Sequence, residues 1–369
     1  MEIKSGGLEN LVDHLFLTYS NKNVFVTGHT GFKGSWLVAI LKHLNANVHG
    51  YALPPETSPN HYSLLPKHYQ STNADILNLE LLKGKMIEAQ PDIIFHLAAQ
   101  AYVLRSYEQP IRTYQTNVIG TLNVLEAARS CKSVRAIIIV TTDKVYENKE
   151  QDLPYNEADE LGGFDMYSSS KACCEILVNS YRRSFFNLDQ YKHAHHVLLA
   201  TVRAGNVIGG GDWSSDRLIP DIVRATVNNK QVSIRHPNSI RPWQHVLDCL
   251  MGYLMLGQKL LSYQSEYSGS WNFSPVLNDN KSVVDILNYC KQLWPEVNFV
   301  IEGANESMHE AKILKLNHEK AKMELCWVPK LKTRAAVDMT IQWYKAYYFD
   351  HVIQTEQQIK LYFENEFIS

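Results

Sequence analysis

Tyr167 and Lys171 stand four residues apart in the run Tyr-Ser-Ser-Ser-Lys. On a helix that spacing puts both side chains on one face. A free phenol ionises near pH 10, and a neighbouring ammonium favours the phenolate. Tyr167 is thus a candidate base toward a hydroxyl group, with Lys171 the cation that lowers its pKa. A surface pair at helical spacing is the plain alternative, and the glycine pattern upstream argues against it. Gly28, Gly31 and Gly34 form G-x-x-G-x-x-G directly after the apolar run Val24-Phe25-Val26. Glycines there permit a tight turn and the close approach of a pyrophosphate. The helix that follows turns its free N–H groups and partial positive charge toward the phosphates. The chemistry implied is dinucleotide binding by Gly28, Thr30, Gly31, Phe32 and Gly34, and a positive nicotinamide would favour the Tyr167 phenolate further. Between these motifs, Thr142-Asp143-Lys144 sets a hydroxyl, a carboxyl and an amine side by side. Alone, that trio reads as a turn with solvated charges.

The elements that must position these groups follow from hydrophobic patterning. Short apolar runs at Val24-Phe25-Val26, Asn47 to Ala52, Ile93-Ile94-Phe95, Ala136 to Val140 and Leu198 to Val202 read as strands. Helical spacing fills the gaps, as in Trp36, Leu37, Ile40 and Leu44. Strands alternating with helices indicate an α/β fold, a Rossmann-like doubly wound parallel sheet. Its ligand crevice lies at the carboxyl ends of the strands, which is where Thr142-Asp143-Lys144 falls. After about residue 205 the pattern changes: Gly209-Gly210-Gly211 and scattered prolines punctuate shorter segments. The expected division is a leader at 1–20, a dinucleotide-binding domain at 21–205, a smaller loop-rich α/β substrate-binding region at 206–348 and a polar tail at 349–369. Helical periodicity returns from Thr333 to Tyr348. The second strand ends in Gly50-Tyr51-Ala52-Leu53, without the usual acidic partner for the adenosine ribose, so NAD and NADP both stay open. Lys33 and His29 are candidates to hold a ribose hydroxyl or a 2′-phosphate, and Asp75-Ile76 to bracket the adenine.

Composition narrows the class. The chain has 369 residues, with 36 basic against 38 acidic side chains and a formal charge of -2. That balance excludes a dominant nucleic-acid-binding surface. No apolar run reaches the ~18 residues of a membrane span, and the first twenty residues lack the basic-then-apolar order of a secretory signal. The six cysteines show no CxxC spacing. Reduced thiols in a cytoplasmic protein, without a metal site, are expected.

Together these stretches resemble the extended short-chain dehydrogenase/reductase superfamily and, within it, the CDP-glucose 4,6-dehydratases. The carriers are VFVTGHTGFKGSWL at 24–37, HLAAQ at 96–100, TDKVYEN at 142–148, GGFDMYSSSK at 162–171, RAGNVIGGGDW at 203–213, DRLIPDIVRA at 216–225 and IRPWQHVLD at 240–248. The chain departs from the family's common residues at Ala101, Leu104 and Ala172. The resemblance implies a nucleotide-diphosphate sugar as substrate, CDP-D-glucose in the first instance, and bound NAD that is used and regenerated. It also implies a homodimer or a dimer of dimers and a place in deoxysugar synthesis. The readings kept beside it are a dehydratase for dTDP-glucose or GDP-mannose, a nucleotide-sugar epimerase, and a cofactor-sensing protein without chemistry.

By the same resemblance, Tyr167 takes the proton of the sugar 4-hydroxyl, Lys171 assists and holds the nicotinamide ribose, and Thr142 bonds the 4-oxygen. Asp143, protonated, serves as acid at the 6-hydroxyl and Lys144, neutral, as base at C5; a proton-sharing Asp143–Lys144 pair fits equally. Leu97, Ala98, Ala99, Gln100 and Asn117 line the cofactor crevice. Asn206, Arg217 and Arg241 are candidates for the diphosphate, with Arg105 as a further one. Arg235, Trp213 and Trp243 are candidates to frame the base.

Overall fold

A computed structural model describes residues 6–150, 152–302 and 313–364. Its centre is a seven-stranded sheet built on β1 (Asn23–Thr27), β2 (Asn47–Ala52), β3 (Gln70–Asn73), β4 (Ile93–His96), β5 (Ala136–Val140) and β6 (Leu198–Ala204), with Ser270–Phe273 as the seventh strand. The order across the sheet is Ser270–Phe273, β6, β5, β4, β1, β2, β3, and every pair is parallel. This is the doubly wound arrangement expected, with the strand order reversing between β1 and β4.

The continuous apolar runs have a simple cause. Successive side chains of a strand point to opposite faces. Val24, Val26, Ile93, Phe95 and Ile138 pack into one core, while Phe25, Ile94, Ile137, Ile139 and Leu199 pack into the other. Helices cover both faces, so neither set of residues can be polar. Each fully buried valine or isoleucine contributes about 1.5–3 kcal/mol of transfer free energy.

The chain does not stay in the capping region after residue 205. Helix Val246–Leu261 is almost wholly buried and lies against the sheet in the same core as Trp36, Leu37 and Ile40. Ser270–Phe273 then joins β6. The capping region itself carries three small strand pairs: β7 (Asn206–Ile208) with Trp243–His245, Val232–Ile234 with Phe299–Ile301, and Ile240–Arg241 with Lys281–Ser282. The two ends of the described chain are also built in. In helix Gly6–Tyr19, Leu15 and Tyr19 are fully buried and the Tyr19 hydroxyl donates to the Leu254 carbonyl at 2.9 Å. Helix Thr355–Glu364 buries Ile359, Tyr362 and Phe363, and the Tyr362 hydroxyl donates to Asp248 Oδ1 at 2.7 Å. The helix expected over 333–348 is α-helical from Thr333 to Lys345 and then widens into a π-turn, Ala346–Asp350.

Candidate active site

A cleft of about 820 Å³ opens at the carboxyl ends of the strands and runs under the capping region. Its floor begins at the glycine loop. Gly28 sits at φ +75°, and a Cβ there would stand 2.5 Å from the Ala98 nitrogen. Only glycine lets the β1 and β4 ends approach this closely. A side chain at Gly34 would run into the Gly28 carbonyl. Helix Phe32–His43 starts at Gly31, with no side-chain cap among the described residues and no acidic residue in its first turn. Its first N–H groups are therefore left for an anion. This cradle fits the pyrophosphate of a dinucleotide.

Gly28, Thr30, Gly31, Phe32 and Gly34 all line the cleft, as do Asp75, Ile76, Leu97, Ala98 and Ala99. Asp75 is engaged by Arg112 at 2.6 Å and by the Leu77 N–H at 3.0 Å. Gln100 and Asn117 do not line it. They sit one layer behind: Asn117 Oδ1 accepts from the Gln100 N–H at 2.9 Å, and Asn117 Nδ2 donates to the Gln100 carbonyl and to Ser170 Oγ. Asn117 belongs to a one-turn π-helix, Gln115–Ile119, a distortion often found beside functional sites. His29, a candidate for a ribose hydroxyl, does not line the cleft. It is fully buried, bonded to Ser71 Oγ at 2.7 Å and packed edge-on to Tyr62 and Tyr69. Burial lowers its pKa to about 4, so it is neutral. Lys33 does line the cleft, on the side of Asp143 and Lys171, both of which its charge influences.

Helix Met166–Ser184 presents Tyr167 and Lys171. Asp165 caps it, accepting from the Ser168 N–H at 2.9 Å, and this fixes where the helix begins. The turn after β5 presents the other groups. The Thr142 hydroxyl donates to Asp143 Oδ1 at 2.9 Å. Asp143 is 2% exposed, and its Oδ2 has no partner among the described residues. Burial pushes the Asp143 carboxyl above its ordinary value, against the opposing pull of Lys144, Thr142, Arg241 and Lys33. Lys144 is half-buried at the cleft wall. Burial lowers the pKa of Lys171, whose Nζ donates to the Val140 carbonyl at 3.0 Å. Tyr167 departs from the expectation: in the protein alone burial pushes it up to about 12, while the Thr142 hydroxyl and Arg217 pull the other way. The acidification expected of Tyr167 is therefore not present in the protein alone.

Asn206, Arg217, Arg235 and Arg241 all line the cleft as well. Arg217 lies 3.7 Å from Asp212. Arg241 is 5% exposed and donates to the Ile240 carbonyl at 2.9 Å. Trp243 lines the cleft as well. Arg105 does not: it pairs with Glu56 at 2.8 Å and lies over the Tyr102 ring. Trp213 is turned into an aromatic cluster with Trp343, Tyr344 and Tyr347, its Nε1 bonded to the Tyr348 hydroxyl. Lining residues that sequence reasoning missed include Pro54, Pro55, Tyr102, Asn148 and Phe164. Only the first two carried a readable signal, since a Pro-Pro turn directly follows β2 at its carboxyl end.

Residues 24–267 match the NAD dependent epimerase/dehydratase family. The chain is 45% identical over 332 residues to the CDP-glucose 4,6-dehydratase of Salmonella typhimurium, covering 89% of this chain and 92% of that protein. It is 24% identical to dTDP-glucose 4,6-dehydratase 1 of Escherichia coli, covering 87% and 92% of the two. Among solved structures, an epimerase of Methanothermobacter thermautotrophicus superposes with a TM-score of 0.79 at 21% identity, covering 95% of this chain and 97% of the other. The dTDP-glucose 4,6-dehydratase of Bacillus anthracis, in complex with NAD, gives 0.72 at 23% identity, covering 88% and 96%. The two likenesses in structure speak for the fold; the sequence match, nearly end to end, agrees with the glycine cradle and the Tyr167–Lys171 helix. The chain belongs to the NAD dependent epimerase/dehydratase family.

Proposed function

We propose that this protein is an NAD-dependent nucleotide-sugar 4,6-dehydratase, a hydro-lyase that converts CDP-D-glucose to CDP-4-keto-6-deoxy-D-glucose and water. One observation carries the reading. Thr142, Asp143 and Lys144 share a cleft with Tyr167 and Lys171, and the buried Asp143 carboxyl is biased toward its protonated form. An epimerase needs only the tyrosine and lysine; the acid and amine are what removal of water adds. The near end-to-end likeness to a CDP-glucose 4,6-dehydratase supports the same substrate.

The residues act as follows. Tyr167, as phenolate, takes the proton of the sugar 4-hydroxyl, and Thr142 holds that oxygen. Gly28, Gly31 and Gly34 would cradle NAD, which would supply a reversible hydride acceptor beside the sugar, so that the C4–H bond can be oxidised and C6 reduced within one site. The ketone at C4 acidifies C5–H. Lys144 takes that proton, Asp143 gives its own to the departing 6-hydroxyl, and water leaves. Lys144 then returns a proton to C5. Arg217 and Arg241 pair with the diphosphate, for which a guanidinium has matching geometry, and Asn206 adds an amide contact. Arg235, exposed at the rim, faces the nucleoside.

The reading extends to assembly and place. Ile111 is 74% exposed and Ile176 60% exposed on helices Pro110–Tyr114 and Met166–Ser184. Pro110, Ile111, Tyr114, Val118 and Met166 line an apolar groove there. Such a surface fits a homodimer, or a dimer of dimers. Cys174 is core, while Cys173 is half-buried. Among the described residues no helix is long and apolar enough to cross a membrane, and the free cysteines suit the cytoplasm. The test is direct. The protein with NAD is mixed with CDP-glucose, dTDP-glucose, UDP-glucose or GDP-mannose, and 4-keto sugar is read by its absorbance in strong alkali. Product from CDP-glucose alone is expected; product from another sugar only, or none, overturns the substrate assignment.

A further inference from the structure

Behind the cleft lies a buried ion pair that the scheme above does not use. Glu175 is 2% exposed and Arg203, on β6, is 2% exposed. The guanidinium meets the carboxylate with two bonds, Nε to Oε1 and Nη2 to Oε2, both at 2.9 Å. Neither residue lines the cleft. Burial alone would raise the Glu175 pKa, but Arg203 and the hydroxyls of Thr141 and Thr201 outweigh it and hold the group ionised.

Charge pairing does not explain why such a pair is kept. Replacing a buried pair by apolar residues of similar volume is often neutral or stabilising. The remaining bonds of the pair give a more specific account. Glu175 Oε1 also accepts from the Thr141 hydroxyl at 2.6 Å. Arg203 Nη1 donates to the Tyr146 hydroxyl at 2.7 Å, and that hydroxyl donates onward to Asn272 Oδ1 at 2.8 Å. Thr141 and Tyr146 bound the turn that carries Thr142, Asp143 and Lys144. The pair therefore staples that turn at both ends. Glu175 also follows Lys171 by four residues and Tyr167 by eight on one helix, so it shares their face.

We propose that the Glu175–Arg203 pair is a positioning element that sets the register between the Tyr167–Lys171 helix and the Thr142–Lys144 turn. Oxidation at C4 and elimination across C5–C6 then act on one sugar pose. The proposal rests on the dehydratase reading. Errors of about 1 Å in such alignment cost on the order of 100-fold in rate. The pair's loss should strike the elimination harder than the oxidation, because Tyr167 and Lys171 keep their own helix, while the turn that carries Asp143 and Lys144 loses its Glu175–Thr141 and Arg203–Tyr146 bonds and is left with those to Val202 and Asn272.

The experiment compares the parent with E175M/R203M, which fills the space with apolar side chains, and with E175Q, which keeps the shape and one acceptor. Measured for each are kcat and KM for the nucleotide sugar, the thermal unfolding midpoint, and reduced coenzyme during a single turnover. Expected for the double variant are an unfolding midpoint at or above that of the parent, KM within about threefold, kcat lower by about 100-fold, and a transient build-up of reduced coenzyme. E175Q should fall between, at about tenfold in kcat. Parental kcat in either variant overturns the proposal. So does a loss that follows a lowered midpoint without build-up of reduced coenzyme, which is what a merely structural role would give. If the double variant does not fold, the E175Q result decides alone. Turnover by the parent is the control that separates failure of this proposal from failure of the dehydratase reading.

Discussion

Gly28→Ala is the sharpest perturbation of the cofactor cradle. The added methyl would stand 2.5 Å from the Ala98 nitrogen and 2.8 Å from both Ala98 Cα and the Leu97 carbonyl carbon. Ordinary contact begins near 3.5 Å, so backbone must part by about 1 Å. The φ of +75° adds about 1–2 kcal/mol of strain for any residue with a Cβ. No flexible side chain can absorb this, because the obstructing atoms are main chain at the end of β4. The loop must therefore lift away from Leu97 and Ala98, both of which line the cleft. A displacement of that size predicts an NAD dissociation constant raised roughly 10- to 100-fold, about 1.4–2.7 kcal/mol. Affinity for the nucleotide sugar should hold within about threefold, since the added methyl meets main chain of Leu97 and Ala98 and none of Arg217, Arg235 or Arg241. Calorimetric titration with NAD and, separately, with CDP-glucose reads both. Gly84→Ala is the control: no described atom lies within 4 Å of its added Cβ. It sits inside helix Leu79–Ala89, so about 0.5–1 kcal/mol of added stability is expected. Gly28→Ala binding NAD like the parent would refute the cradle.

Three further outcomes follow from other parts of the molecule. Lys144→Met should keep slow oxidation at C4 and lose elimination, seen as reduced coenzyme without alkali-absorbing dehydrated product; unchanged dehydration would remove Lys144 from the scheme. His61 is buried with both ring nitrogens bonded, to Ser35 Oγ at 2.8 Å and Thr355 Oγ1 at 2.7 Å, and burial lowers its pKa to about 3. Its unfolded value is near 6.5, so the unfolded chain binds the extra proton and stability from this group is lost as pH falls from about 6.5 toward 3. His61→Asn should be less stable than the parent by about 2 kcal/mol at pH 7.5, and the gap should shrink by about 1.4 kcal/mol per pH unit below 6.5. Denaturant titrations in which the gap stays constant with pH would show that His61 is not held neutral. Ile111→Asp should raise the dimer dissociation constant at least tenfold in sedimentation experiments, and an unchanged dimer would place the interface elsewhere.

Much of the fold was legible because the parallel strands are buried on both faces. Val24-Phe25-Val26, Ile93-Ile94-Phe95 and Ala136–Val140 could not be polar on either side, so they stood out as runs. β3, Gln70–Asn73, is polar and lies at the sheet edge with little burial, and nothing in its composition marks it. The return of 246–273 to the sheet was hidden for another reason. A buried helix and a short edge strand look alike whether they cap a crevice or extend a sheet, so the expected boundary at 205 had only the Gly209–Gly211 break to rest on. The helix Thr355–Glu364 spans under three turns, too short for Ile359, Tyr362 and Phe363 to declare a period. At the site, the four-residue spacing of Tyr167 and Lys171 and the place of Thr142-Asp143-Lys144 after an apolar strand pointed to the strand ends, and all five do line one cleft; the trio's chemical role came from the resemblance and not from its residue types. Direction of burial was not readable: His29, Trp213 and Arg105 are each polar-tipped or amphipathic, and only tertiary packing decides which way such side chains turn.

The central claim is that hydride removed from C4 is kept within the site and returned to C6 of the same sugar. CDP-glucose deuterated at C4, turned over by the protein with unlabelled NAD, tests it most directly by mass spectrometry and NMR of the product. The account predicts deuterium at C6 of the 4-keto-6-deoxy sugar, with solvent hydrogen at C5. Deuterium lost to solvent, or collected in reduced coenzyme as a stoichiometric end product, would contradict it.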